Sequence, residues 1–446
     1  MLDIGTLDVD KMYIGNDEIE KIYVGNDLVW EKQPSQIIYG IKLDRTLNSN
    51  EPLATSWGTY TDDAVGLNGA YMDFTNDTFV DNGWFDRFPF NEIKPCIVNN
   101  GQVVGYLKKD DYTKYEDGTS APNNDRTAGN VMVEIPKIYY KISADNQYNY
   151  IQISNQTFDG ACCLAHTYKG QELSKIYVDA YLSCATDYET YGPYSVSGIV
   201  PVPFGFDITY GSVYSSIKTF RGNRCEPFTY NAFTLIGCLF AIMFKSTNAK
   251  ESLGKGLYSF ATNNVTTGAL DTKGFCYGED SNESGNPTKG RIKFMGLEDF
   301  YGGKYTFCAG LYLDPNLDKY HVIDPYDSTQ EYSVAGLNDF STITPLTDNL
   351  PLPNTNSYSP VKITGINALG FARTNYNTDS YNVSTNISVG FSSVTKYEVT
   401  TGSDEYKVGL ISSSFNSVVG LYSFNTFHTG TTSRRASRII YFPQEN

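Results

Sequence analysis

A β-rich α+β fold is what this sequence predicts, on three observations. Short apolar stretches alternate with Gly-, Asn- and Asp-rich turns along most of the 446 residues, the pattern of many short strands. Two segments, 214–221 and 230–245, place apolar residues at helical spacing. A strand-and-turn unit repeats near the N-terminus. With 40% hydrophobic and only 19% charged residues, including 36 Tyr and 25 Phe, the chain can bury a large core and is not a disordered polymer.

The repeat comes first. Lys11-Met-Tyr-Ile-Gly-Asn-Asp-Glu18 returns ten residues later as Lys21-Ile-Tyr-Val-Gly-Asn-Asp-Leu28. Each copy reads as a four-residue strand followed by a tight turn at Gly-Asn-Asp. Two such strands have no core of their own. They must pack on a partner surface, on sister chains, or on the rest of this chain. Gln33-Pro34-Ser35 is the natural break after them.

Beyond the break the chain reads as strands and long loops, interrupted by the two helices. The segment 214–221 is short and amphipathic, whereas 230–245 is apolar nearly all round and is expected to be buried. Its ten-residue apolar run, 235–244, is roughly half of what spans a bilayer, so a core element is expected and no membrane insertion. After 255 the chain returns to strand and loop.

The net charge of −16, from 50 acidic and 34 basic residues, excludes the basic face that nucleic-acid binding needs. The opening Met-Leu-Asp-Ile-Gly-Thr-Leu-Asp lacks a basic and an apolar region, so no signal peptide is expected. The eight scattered Cys then read as reduced thiols. Only three His occur, His166, His321 and His428, and no Gly-x-Ser-x-Gly elbow, which argues against nucleophilic catalysis. Cys163-Leu-Ala-His166 lacks the second ligand pair of a zinc site, and the Cys162-Cys163 pair is expected to face opposite sides of a strand. In Asp110–Gly118, an EF-hand register that puts Gly118 at the turning position leaves Thr113 where the first carboxylate belongs, so a solvated acidic loop is expected.

The last eighty residues are rich in Tyr, Phe and Asn among Ser, Thr and Gly. Asn375, Tyr376, Tyr381, Phe415, Asn416, Tyr422, Phe424, Asn425 and His428 are the candidate contact residues, with Arg434 and Arg435 for anionic groups. Rigid rings with adaptable amides suit protein or sugar surfaces; an ordinary polar β surface has the same composition.

Several blocks, in order, resemble a family of tailed-bacteriophage fibre and receptor-binding proteins. Its distal part has a C-type-lectin-like fold of the formylglycine-generating-enzyme branch. The blocks are Lys94-Pro-Cys-Ile, Gly101-Gln-Val-Val-Gly-Tyr-Leu107, Asp117-Gly-Thr119, Gly129-Asn-Val-Met-Val-Glu-Ile-Pro-Lys-Ile-Tyr-Tyr140 and Ser195-Val-Ser-Gly198 with Pro201. The apolar helix, Gly254-Lys-Gly256, Gly296-Leu-Glu-Asp-Phe-Tyr-Gly-Gly-Lys-Tyr305 and Ala436-Ser-Arg-Ile-Ile-Tyr441 follow. The N-terminal repeats resemble strand repeats that open many phage structural proteins.

The resemblance implies a three-part chain: a virion-attachment segment over 1–32, a β-rich leading part over 33–125 and a C-type-lectin-like domain over 126–446. It implies a non-enzymatic, cofactor-free and metal-free virion protein, assembled in the host cytoplasm. Tyr13, Ile14, Tyr23, Val24 and Trp30 would dock it to other virion proteins of the head or tail. It would form a homotrimer and meet a bacterial surface glycan or envelope protein. A purely architectural head- or tail-decoration fibre and a polysaccharide-degrading enzyme are the alternatives. Three departures matter. Tyr305 stands where the family has Trp. No Cys follows Cys308, so the pair that makes formylglycine enzymes oxidases is absent. No Trp follows Trp84, so calcium-held sugar is not expected. In such a fold the first and last strands pair, which would make 438–441 the closing strand beside the first one.

Overall fold

Alternating apolar residues and short turns do produce a β-rich α+β protein, with several antiparallel sheets and, among the described residues, two helices longer than one turn. The computed structural model describes residues 12–14, 17–19, 21–24, 27–31, 35–44, 58–183, 192–201, 210–247, 249–254, 256, 265–279, 290–302, 305–314, 319–329, 331–333, 344–345, 360–361, 392–393, 407–411, 424–427 and 435–445. The chain divides into two compact units, Met1–Ile37 and Ile38–Asn446.

In the first unit each repeat is a complete hairpin. Met12–Ile14 pairs antiparallel with Asp17–Ile19, and Lys21–Val24 with Asp27–Glu31. The Gly-Asn dipeptide alone separates the strands, and Asp17 and Asp27 already begin the return strands. The repeat thus supplies four strands where the sequence reading expected two. Gly-Asn is a favoured two-residue hairpin connection, which explains the difference. Tyr13 lies across from Glu18, Tyr23 from Leu28 and Trp30 from Ile22.

The second unit opens with a four-stranded antiparallel sheet ordered Tyr139–Ala144, Tyr148–Ser154, Ile38–Asp44 and Thr59–Asp62. Period-two alternation sends Ile41, Leu43, Ile142, Ile151 and Ile153 to a buried face. Helix α1 (Tyr210–Phe220) buries Val213 and Ile217 and leaves Phe220 exposed. Helix α2 (Tyr230–Phe244) has all fifteen residues buried, as its uniformly apolar surface requires. The Thr229 hydroxyl accepts the Ala232 N–H at 3.3 Å to start it, and Lys245 ends it in a left-handed conformation. The Tyr60 hydroxyl donates to the Ile242 carbonyl at 2.7 Å, pinning the end of α2 to the sheet. No helix among the described residues is long and apolar enough to cross a membrane.

A seven-stranded antiparallel sheet carries the rest. Its order is Asp111–Tyr115, Gln102–Lys108, Lys94–Asn99, Asn130–Pro136, Lys175–Asp179, Ile439–Tyr441 and Cys225–Pro227. The last strand therefore enters an interior position, pairing Val178 with Ile440 on one side and Glu226 with Ile440 on the other. This corrects the expectation that it would pair with the first strand, since Ile38–Asp44 belongs to the four-stranded sheet. A three-residue apolar stretch carries burial but no register information, so its partner could not be read. A third sheet is centred on Tyr305–Asp314, flanked by Lys319–Val322 and Lys407–Ile411.

The remaining local expectations divide. Helix α1 begins four residues before the expected start, where Gly211 and Ser212 weaken the helical signal. Cys162 and Cys163 do not alternate on a strand. Cys162 forms an isolated bridge with Tyr140, and Cys163 precedes a 3-10 turn, Leu164–His166. The seven described Cys are all free. In the acidic loop, Asp111 and Asp117 each accept the backbone N–H and hydroxyl two residues on, at Thr113 and Thr119.

Candidate functional site

Two polar constellations stand out in the second unit, one sealed and one open. The sealed one is built on Gly290–Gly302, where strands Ile292–Phe294 and Leu297–Glu298 form a tight hairpin. Arg291 Nη2 lies 2.5 Å from Glu298 Oε1 and 2.7 Å from Asp299 Oδ2, and its Nε donates to Asp299 Oδ1 at 2.9 Å. Glu298 also accepts the N–H groups of Gly268 and Leu270, at 2.8 and 2.9 Å. Lys293 donates to the Leu270 carbonyl at 3.1 Å and sits 3.6 Å from the centroid of the Tyr112 ring. Asp271 accepts from Asn123, Ser197 and Tyr181.

These groups are almost wholly buried, with Arg291, Lys293 and Glu298 at 3%, 1% and 2% exposure. Burial pushes the Glu298 carboxyl above the usual carboxylate range and the Lys293 ammonium below its own. Perturbed values of this kind attend active sites, but here the charged groups Arg291, Lys293 and Glu298 are buried. Its chemistry is spent on fixing loops: Glu298 holds 268–270 and Arg291 holds 298–299.

The open constellation is a cleft of about 610 Å³ lined by residues of strands Lys94–Asn99, Asn130–Pro136, Ile439–Tyr441 and Cys225–Pro227 and of the loops beside them. Five separate segments wall it, and each is locally fixed. Asn100 and Gly101, both at positive φ (49° and 77°), make the two-residue turn between Lys94–Asn99 and Gln102–Lys108. Asp125 accepts the Thr127 N–H at 2.8 Å and its hydroxyl at 2.7 Å, a turn that leaves Arg126 exposed. The Arg126 guanidinium lies 5.8 Å from the Tyr194 ring centroid. Phe220, at the end of α1, presents its ring at 42% exposure. Arg221 is held by the buried Asp179 at 2.9 Å, and Arg224 donates to the carbonyls of Phe442 and Pro443 at 2.6 and 2.8 Å. The Tyr441 hydroxyl closes the cleft by donating to the Gly101 carbonyl at 3.3 Å.

Among the described residues that line this cleft there is no Asp or Glu, and three are Arg. These described residues can stack rings, hydrogen-bond hydroxyls and attract anions. Among the described residues no group of three or more His, Cys, Asp and Glu stands close enough to hold a metal ion. His166 is fully buried, its Nε2 lies 3.3 Å from the Ile135 carbonyl, and burial takes its pKa down to about 4.

Most residues that the sequence nominated for contacts, namely Asn375, Tyr376, Tyr381, Phe415, Asn416, Tyr422, His428 and Arg434, lie outside the described residues. Phe424 and Asn425 lie on strand Phe424–Phe427, opposite Ile411 and Leu410. Arg435 pairs in parallel with Tyr305. Both segments thus join the sheet centred on Tyr305–Asp314. The cleft residues were not singled out from sequence. The available signal was Arg221-Gly-Asn-Arg224 directly after the amphipathic helix, in a chain with only ten Arg. No protein-family model matches the chain, and no curated protein matches it at a significant level.

Proposed function

We propose that the protein is a non-enzymatic adhesive component of a tailed-bacteriophage particle, docked by residues 1–32 and presenting its body to the bacterial envelope. On this reading the body is C-type-lectin-like, the chain is a homotrimer in the virion, and it uses no cofactor. The observation that carries the reading is the open cleft, whose described lining is rich in rings, amides and guanidinium groups and holds no carboxylate. Such a surface suits recognition, and its described residues include no paired acids of the kind glycoside hydrolysis uses.

Two further features support it. The N-terminal strands, three to five residues long and paired as hairpins among the described residues, have no core of their own and gain burial against a particle surface or sister copies. The block resembling the family's Gly-x-Glu-Asn motif is folded as a buried brace, a role that leaves the surface free to vary.

The test is adsorption of the purified chain to host cells, together with its position in intact particles. Binding that falls at least thirtyfold when Tyr376, Tyr422 or Phe424 is replaced by Ala would place receptor contacts in the 371–435 loops, at about 2 kcal/mol per anchor. A chain located on the particle that adsorbs to no cell would favour the purely architectural reading. Release of sugar from host polysaccharide would defeat the non-enzymatic one.

A further inference from the structure

We propose that Asn100 is a site of spontaneous covalent modification, converting through a cyclic imide to aspartate and isoaspartate ahead of the other Asn-Gly sites of the chain. The only co-reactant is water. The Gly101 backbone nitrogen attacks Cγ of Asn100, the bond from Cγ to the amide nitrogen breaks, and ammonia leaves with the proton the attacking nitrogen gives up. Water then adds to one of the two imide carbonyls. Opening on one side gives aspartate, and opening on the other gives isoaspartate, whose main chain runs through the former side chain. Nothing is oxidised or reduced.

Three Asn-Gly dipeptides occur, at 68–69, 82–83 and 100–101. In each the glycine has no Cβ to hinder the attacking nitrogen. The fold separates them. Asn82 donates from Nδ2 to the Gly69 carbonyl at 2.7 Å, so its amide is held. Asn68 is exposed, but its backbone is clamped on both sides. Its carbonyl accepts the Trp84 indole N–H at 2.9 Å, and the Ala70 N–H donates to the Met243 carbonyl at 2.8 Å. A Cβ on Gly69 would lie 2.7 Å from the Phe244 carbonyl oxygen, so that peptide is packed on the end of α2.

Asn100 has neither restraint. It is exposed at the tip of a two-residue turn, and neither its amide nor the Gly101 N–H makes a hydrogen bond among the described residues. The Tyr441 hydroxyl bonds the Gly101 carbonyl at 3.3 Å, one peptide beyond the attacking nitrogen, and so ties neither reacting group. Ring closure turns the Asn100 backbone out of its left-handed conformation, and a turn tip can swing where a clamped segment cannot. The product matters because turn length sets register. Isoaspartate adds one main-chain atom between Asn99 and Gln102, which now face each other, and displaces the carbonyl that Tyr441 holds.

The full chain, incubated at mildly alkaline pH in heavy-oxygen water and then digested, is mapped by mass spectrometry that distinguishes aspartate from isoaspartate. In the native chain Asn100 should take up label first. Asn82 should be about fivefold or more slower, because its amide must first break a hydrogen bond. Asn68 should also trail. In the urea-unfolded chain the three should react at similar rates. Asn100→Gly should remove the label from that peptide and melt like the parent, since Gly-Gly suits two left-handed turn positions. A native order led by Asn68 or Asn82, an Asn100 that stays intact while the unfolded chain reacts, or label that persists in Asn100→Gly overturns the proposal. Asn100→Asp carries the new charge without the extra atom and should melt like the parent, whereas the isoaspartate form should melt lower. Equal melting of all three would overturn the register consequence.

Discussion

Arg438 donates from Nη1 to the backbone carbonyl of Asp179 at 2.5 Å, across 259 positions of sequence, and from Nη2 to the Glu298 carbonyl at 2.6 Å. The side chain is fully buried, and burial takes its pKa down to about 10 against the pull of Asp179, Asp299 and Glu298. One guanidinium thus joins the end of strand Lys175–Asp179, the Gly290–Gly302 brace and the entry to the last strand. Asp179 contributes twice, since its carboxylate holds Arg221 at the wall of the cleft. The interior clamp and the surface site share this residue.

Replacing Arg438 by Met should destabilise the second unit by about 3 kcal/mol, because two buried carbonyls lose their donors. Thermal unfolding of the parent and variant measures it, and Arg438→Lys should recover only part of the loss. A variant that melts like the parent would show that the clamp contributes nothing net.

Gly296 sits at φ 80°, and a Cβ there would overlap the Tyr112 hydroxyl, which donates to the Gly296 carbonyl at 3.2 Å. Gly296→Ala should cost more than about 2 kcal/mol through strain and the lost bond. Gly118, at φ 86° with open space around it, provides the contrast. Gly118→Ala should cost only the left-handed conformation, about 1 kcal/mol. Equal losses at the two sites would contradict the steric account.

Two buried groups should oppose each other in acid. His166 is brought down to about 4 from 6.5, so between those values the unfolded chain takes up a proton that the folded one refuses, and stability rises with pH. Burial raises Glu298 to about 7 from 4.5, so over that interval the folded chain keeps a proton that the unfolded one releases, and stability falls as pH rises. Burial also raises Asp179 and Glu226, adding to the falling component. His166→Asn should therefore make the melting temperature fall more steeply between pH 4.5 and 6.5, and Glu298→Gln should make it rise. Identical slopes in the parent and both variants would remove these groups from the pH response.

Deleting residues 1–32 should leave the melting of the body unchanged and abolish incorporation into particles. Normal incorporation of the shortened chain would move the attachment site elsewhere.

The parts of the fold that were legible in the sequence are those with local signals. Helix α2 was readable because apolar residues on every side of a fifteen-residue helix fit only a buried one. The strands before each Gly-Asn dipeptide were readable, the return strands beyond it were not. The Arg291–Glu298–Asp299 brace was invisible as a brace, since charged residues in a short segment read as solvent-facing until their partners are known. The cleft was hidden for another reason. Its Asn100, Arg126, Tyr194, Phe220 and Tyr441 come from five segments, and no spacing rule links them.

The interior place of Ile439–Tyr441 has a consequence for how the protein is made. Strand Lys175–Asp179 has a free edge on that side until residues 439–441 exist, and Cys225–Pro227 has no neighbour within the sheet. At about 5–20 residues per second, translation leaves that edge open for on the order of 10 s or more. Unpaired edges invite pairing with other chains. A nascent chain stalled or cleaved before residue 439 would carry the exposed edge permanently. Premature termination should therefore yield insoluble protein, with little of a merely shorter soluble form.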